Sequence, residues 1–196
     1  MSRISGEIWR ALFIWVLACA LGLSIPPLVP YLFPPFTVLF GLFSSTLITS
    51  MPLSIAQWLA LRWTHPVSIL WIFSIPISVY VFMMFIRELP TDAFLSDETL
   101  AALTILGLML GLLIGLPQWL ILRWKYGGSA LWLLGSSLGV GLSMFFVLVT
   151  DLINMSGVLA YIAAVLVYAL TTGLTLVVLI NLREVPDTPI PGSSGA

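Results

Sequence analysis

The sequence predicts an all-α integral membrane protein, with six transmembrane helices arranged as three tandem helical hairpin repeats and both termini cytoplasmic. Three observations carry that expectation. Of 196 residues, 60% are hydrophobic and 8% charged, with mean hydropathy +1.15, where a soluble domain carries roughly 25% charge. Six apolar runs, at 8–25, 36–61, 67–86, 99–122, 129–150 and 157–182, match the roughly 20 residues that cross a hydrocarbon core of about 30 Å. Finally, one seven-residue phrase occurs twice, as QWLALRW at Gln57–Trp63 and QWLILRW at Gln118–Trp124.

The phrase belongs to a longer repeat. A shift of 61 residues gives 12 identities over the 29 positions from 57 to 85, among them Gln, Arg, Ser and three Trp. Apolar composition alone does not pair those residues, so the segment reads as an internal duplication. Extended outward, the phase matches Trp71 and Trp132 with Trp9, and Arg62 and Arg123 with Arg183. The expected units are residues 5–64, 65–125 and 126–184, one membrane domain over 1–184 followed by a disordered cytoplasmic tail over 185–196. An even number of spans puts Arg3, Arg10, Arg62, Arg123, Lys125 and Arg183 on one side and Arg87 alone on the other. The positive-inside rule makes the first side cytoplasmic, in a bacterial cytoplasmic or internal membrane.

Each element has its own signal. In the first run, VLAC at Val16–Cys19 resembles a lipoprotein processing box. The run nevertheless continues to Ile25 behind Glu7, so a true transmembrane helix is expected. PPLVPYLFPP at 26–35 is too rich in proline for helix and is expected to lie at the interface, with Tyr31 and Phe33 against lipid. The second run holds Thr46, Ser50 and Ser54, the third Ser74 and Ser78, the fourth Gly107, Gly111 and Gly115, the fifth Gly135, Gly139 and Ser143, and the sixth Thr171 and Thr175. Small residues four apart form ridges that let helix backbones approach closely in lipid. Pro52, Pro76 and Pro117 fall inside runs, and each frees the carbonyl four residues earlier, at Ile48, Ile72 and Leu113. RELPTDAFLSDET, from Arg87, is an acidic solvated loop in which Ser96, Asp97 and Glu98 cap and open the next helix. Asp151 and Asn154 mark an outer helix end.

Within the phrase, Trp58 and Arg62 share a helix face, as do Trp119 and Arg123, so each guanidinium stacks on an indole while its head reaches lipid phosphate. Trp58, Trp63, Trp119 and Trp124 are expected interfacial anchors. Gln57 and Gln118 lie five residues from the Arg, about 7–8 Å deeper at 1.5 Å per residue, where an amide needs a partner. Either they bond each other across a pseudo-symmetric centre or they take a carbonyl freed by proline. The functional alternative is that Gln57 and Gln118, backed by Arg62 and Arg123, hold the polar head of a lipid, quinone or pigment-like ligand.

Between the helix ends no run contains Asp, Glu, Lys, Arg or His, which argues against proton or ion pumping. The single histidine, His65 in RWTHP, falls in a turn, and the single cysteine is Cys19. Metal hydrolysis, bis-histidine haem and serine–histidine chemistry therefore lack their parts. GSSLG at 135–139 resembles an intramembrane protease loop, but its serines lie on a packing ridge. No catalytic, cofactor-binding or metal-binding residue is expected. Nor, with seven Lys and Arg and a net charge of −1, is a nucleic-acid partner.

The repeated hairpins ending in QWLxLR, on Gln57–Arg62 and Gln118–Arg123, resemble those of bacterial multispanning membrane proteins; the resemblance implies architecture and no activity. In size alone the chain is similar to vitamin-binding subunits of modular importers. Two functions are therefore expected in order. The first is a non-catalytic accessory or scaffold subunit packed against a larger membrane complex, or against further copies of itself, ordering lipid or pigment. The second is a small binding or transport module for an apolar solute. A solid core with an outward groove would favour the first, and an open cavity between proline-kinked helices the second.

Overall fold

The computed structural model describes residues 2–25, 41–64, 67–88, 99–123, 129–153 and 156–183. They form six helices: α1 (Ser2–Ser24), α2 (Gly41–Thr64), α3 (Trp71–Arg87), α4 (Thr99–Leu122), α5 (Leu131–Leu152) and α6 (Gly157–Arg183). Four of them are long and apolar enough to cross a membrane, over Gly6–Ser24, Leu100–Leu122, Leu131–Thr150 and Gly157–Leu182, whereas α3 is apolar but shorter at 17 residues. The chain is thus helical and, by length and composition, membrane-associated. The proline-rich segment at 26–35, the acidic loop at 89–98, His65 and the tail lie outside the described residues. Helix α1 runs unbroken through Cys19, whose side chain is buried.

Each helix packs on its neighbours in sequence, and α1 packs on α6. The six helices therefore close into a ring. Outward faces carry large apolar side chains such as Phe13, Leu21, Leu134, Leu138 and Leu174, the distribution that lipid rather than water favours.

The small-residue ridges face neighbouring helices, as their spacing predicts. A Cβ placed on Gly111 of α4 would collide with the carbonyl oxygen of Ser136 on α5 and stand 2.7 Å from the Cα of Ser137. One placed on Gly135 of α5 would collide with the hydroxyl of Thr175 on α6. Between α1 and α2 the backbones come close at Gly22, where a Cβ would lie 2.6 Å from the Cα of Leu53.

Pro52, Pro76 and Pro117 sit inside helices. The carbonyl of Leu113, deprived of its helical donor by Pro117, accepts a hydrogen bond of 2.8 Å from the Ser78 hydroxyl on α3. Ser137 on α5 likewise donates to the Leu108 carbonyl at 2.8 Å. Ser78→Ala is expected to lower stability by about 0.5–1 kcal/mol, the usual worth of one interhelical hydrogen bond in a membrane. Reversible unfolding in mixed micelles would measure it.

Candidate functional site

Three indoles meet on the ring axis. Trp15 of α1, Trp71 of α3 and Trp132 of α5 are all 1% exposed or less. Trp132 lies edge-on to the other two, with ring centroids 5.7 Å from Trp15 and 5.6 Å from Trp71. Edge-to-face contact sets the positive rim of one ring against the negative face of another. The expected counterpart of Trp71 in the first unit, Trp9, is instead 67% exposed, and Trp15 occupies the axis. Three of the eight tryptophans are thus core residues rather than interfacial ones, because their helix faces turn inward.

Gln57 and Gln118 are fully buried in the same layer, but of the two expected arrangements neither is present: their bonds go to other side chains, not to each other or to a carbonyl freed by proline. The Gln118 amide nitrogen donates to Ser74 Oγ at 3.1 Å, and its carbonyl oxygen accepts from Trp132 Nε1 at 2.9 Å. Gln57 Nε2 donates to Tyr168 Oη at 3.0 Å and to Cys19 Sγ at 3.6 Å. Each amide finds its partners on neighbouring or facing helices before it can reach the other glutamine. Trp15 Nε1 completes the layer by donating to Thr172 Oγ1 at 3.0 Å.

The two arginines lie elsewhere. Arg62 and Arg123 are exposed, with guanidinium carbons 4.9 Å and 5.3 Å from the ring centroids of Trp58 and Trp119. The expected stacking is therefore present, while the glutamines face protein and the arginines the surface. Trp63 is 80% exposed. Trp58 is half-buried against the core, and Trp124 lies outside the described residues.

One to two helical turns from the indole layer, toward the Arg87 end, the axis is hollow. A cavity of about 350 Å³ is lined from all six helices, by Leu23, Leu53, Ile75, Ile114, Val140 and Tyr168 among others. Its position follows from helical register. Gln57 is one turn beyond Leu53, Gln118 one turn beyond Ile114, Thr172 one turn beyond Tyr168, and Trp71 one turn before Ile75, so the same faces that line the cavity supply its floor. The floor is closed, since Trp15, Trp71, Trp132, Gln57, Gln118 and Thr172 are each at most 1% exposed. Tyr161 holds the cavity wall by donating its hydroxyl to the Leu23 carbonyl. What results is an apolar cup sealed at one end by aromatic and amide groups. Sequence reasoning passed over Tyr168 and Tyr161 in this wall, and read Ser143 only as part of a packing ridge. The only signal of the two tyrosines is that they are polar residues on the sixth run that share faces with small residues.

Comparison with protein-family models, curated proteins and solved structures found no match for this chain.

Proposed function

We propose that this chain is a non-catalytic membrane module that holds an apolar molecule inside its helical ring. The single observation behind this reading is the cavity of about 350 Å³ walled by apolar side chains of every helix. Its volume lies in the range of roughly 300–1,000 Å³ typical of small-molecule sites. In this reading all six helices cross the membrane as three hairpins of about 61 residues, supported by the repeated phrase and the closed ring. The arginine-rich end and both termini face the cytoplasm, which puts the sealed floor in the cytoplasmic half.

A second reading, accessory subunit of a larger membrane complex or partner of its own copies, draws on the broad apolar outer faces, including Trp9, Phe13 and Leu17 on α1. One experiment separates the two. The tagged protein is purified from its native membrane in mild detergent, and co-purifying protein, lipid and pigment are identified by mass spectrometry. The binding module should bring down one apolar small molecule at about one per chain. Stoichiometric recovery of a larger complex without such a molecule would favour the accessory subunit.

A further inference from the structure

The two glutamines share a phrase but not a role. Gln118 is partnered at both ends, because its nitrogen and its oxygen each have a hydrogen bond. Gln57, with Trp71 following it at the same 14-residue spacing that separates Gln118 from Trp132, repeats only half of that arrangement. Among the described residues its carbonyl oxygen is buried without a hydrogen-bond partner, and so is the indole nitrogen of Trp71. Nearly all buried polar groups in proteins are paired, and a buried carbonyl left unpaired costs free energy. One copy of the motif is closed on itself and the other is open.

The open copy stands directly behind the cavity. Tyr168 both lines the cavity and receives the Gln57 amide hydrogen. Among the polar side chains of the wall, Ser143 spends its hydroxyl on the Gly139 and Ala164 carbonyls, Tyr161 spends its own on Leu23, and Ser50 is also engaged. Tyr168 accepts from Gln57, and among the described residues no acceptor takes its phenolic hydrogen. Turning the Gln57 amide over would let its oxygen take that hydrogen and leave its nitrogen unspent instead. In both orientations the Tyr168 hydroxyl, the one member of this set that lines the cavity, keeps a hydrogen to give or a lone pair to offer at the floor of an otherwise apolar chamber.

Resting on the reading of the cavity as a binding site, we infer that its ligand is an apolar alcohol, a long-chain or isoprenoid molecule whose hydroxyl head meets Tyr168 at the floor. A hydroxyl both gives and accepts a hydrogen bond, so it suits either orientation of the amide. The hydrocarbon remainder occupies the wall of Leu, Ile, Val and Ala side chains. At roughly 30 Å³ for a group the size of a water molecule, the cavity of about 350 Å³ corresponds to on the order of a dozen carbon atoms. Tyr168 is the contacting residue and Gln57 the positioning residue behind it, while Gln118 is structural.

The test compares radiolabelled 1-dodecanol with dodecane on the full-length protein in phosphatidylcholine nanodiscs, after subtraction of uptake by empty discs. The alcohol should be retained up to about tenfold more tightly than the alkane, the span of one hydrogen bond. Tyr168→Phe keeps the ring and removes the hydroxyl, and should abolish that preference. Gln57→Leu should reduce the preference and Gln118→Leu should leave it intact. These two variants also keep the question answerable if Tyr168→Phe fails to fold. Equal retention of alcohol and alkane by the wild type, or a preference that survives both Tyr168→Phe and Gln57→Leu, would overturn the hydroxyl anchor while leaving the apolar binding site standing. Retention of neither probe would remove the binding reading itself.

Discussion

Gly111→Val is expected to cause a large loss of folded protein. The position faces α5 so closely that even one methyl group would collide with the Ser136 carbonyl and stand 2.7 Å from the Ser137 Cα. Both obstacles are backbone, so no side chain can swing away, and the helices themselves would have to separate. Overpacking of this kind costs about 1–3 kcal/mol, and occasionally more, in well-packed cores. In lipid the penalty is compounded, because no hydrophobic force pulls the displaced helices back together. Gly6, inside α1 with no atom within 4 Å of a Cβ, is the matched control, and Gly6→Val should leave stability within about 0.5 kcal/mol of the wild type, since valine and glycine differ little in helix propensity. Denaturant titration in micelles, followed by circular dichroism, would compare the two. Equal stability of Gly111→Val and the wild type would mean that α4 and α5 are not in close contact.

Trp132→Ala should be as damaging by a different route. Trp132 touches both other axial indoles and caps the Gln118 carbonyl. Its removal empties the middle of the ring and strands a buried acceptor. Trp-to-Ala changes in cores typically cost about 3–5 kcal/mol. Trp132→Phe should recover part of that loss by restoring the ring contacts, but not the hydrogen bond, leaving a deficit of about 1–3 kcal/mol for the unpaired carbonyl. Thermal unfolding of the three proteins in one detergent would order them wild type, Phe, Ala. If Phe matched the wild type, the hydrogen bond to Gln118 would contribute nothing to stability.

Local features of the fold were readable from the sequence. Apolar length placed every helix, glycine spacing identified the faces of α4 and α5 that pack, and Pro117 marked Leu113 as the carbonyl in need of a donor. The stacking of Arg62 on Trp58 and of Arg123 on Trp119 follows from a spacing of four on one helix. The partners of Gln57 were not readable in this way, since Cys19 and Tyr168 lie 38 and 111 residues away and only ring closure brings them near. Nor was the division of the tryptophans. An indole suits both a buried core and a membrane interface, and the inward turn of Trp15, Trp71 and Trp132 depends on helix rotation that hydropathy does not encode. The cavity was anticipated only as one of two alternatives, because its size depends on six side-chain faces converging on one axis.

Closure of the ring by α1 against α6 also fixes an order in time. A chain made from its N-terminus inserts α1 first and α6 last. Until α6 arrives, Trp15 has no Thr172 to donate to, Gln57 lacks Tyr168, and the Leu23 carbonyl waits for Tyr161. Five helices therefore make an open trough whose polar groups face lipid. The sixth converts that trough into a vessel, so a chain stopped before residue 157 would have neither floor nor wall complete.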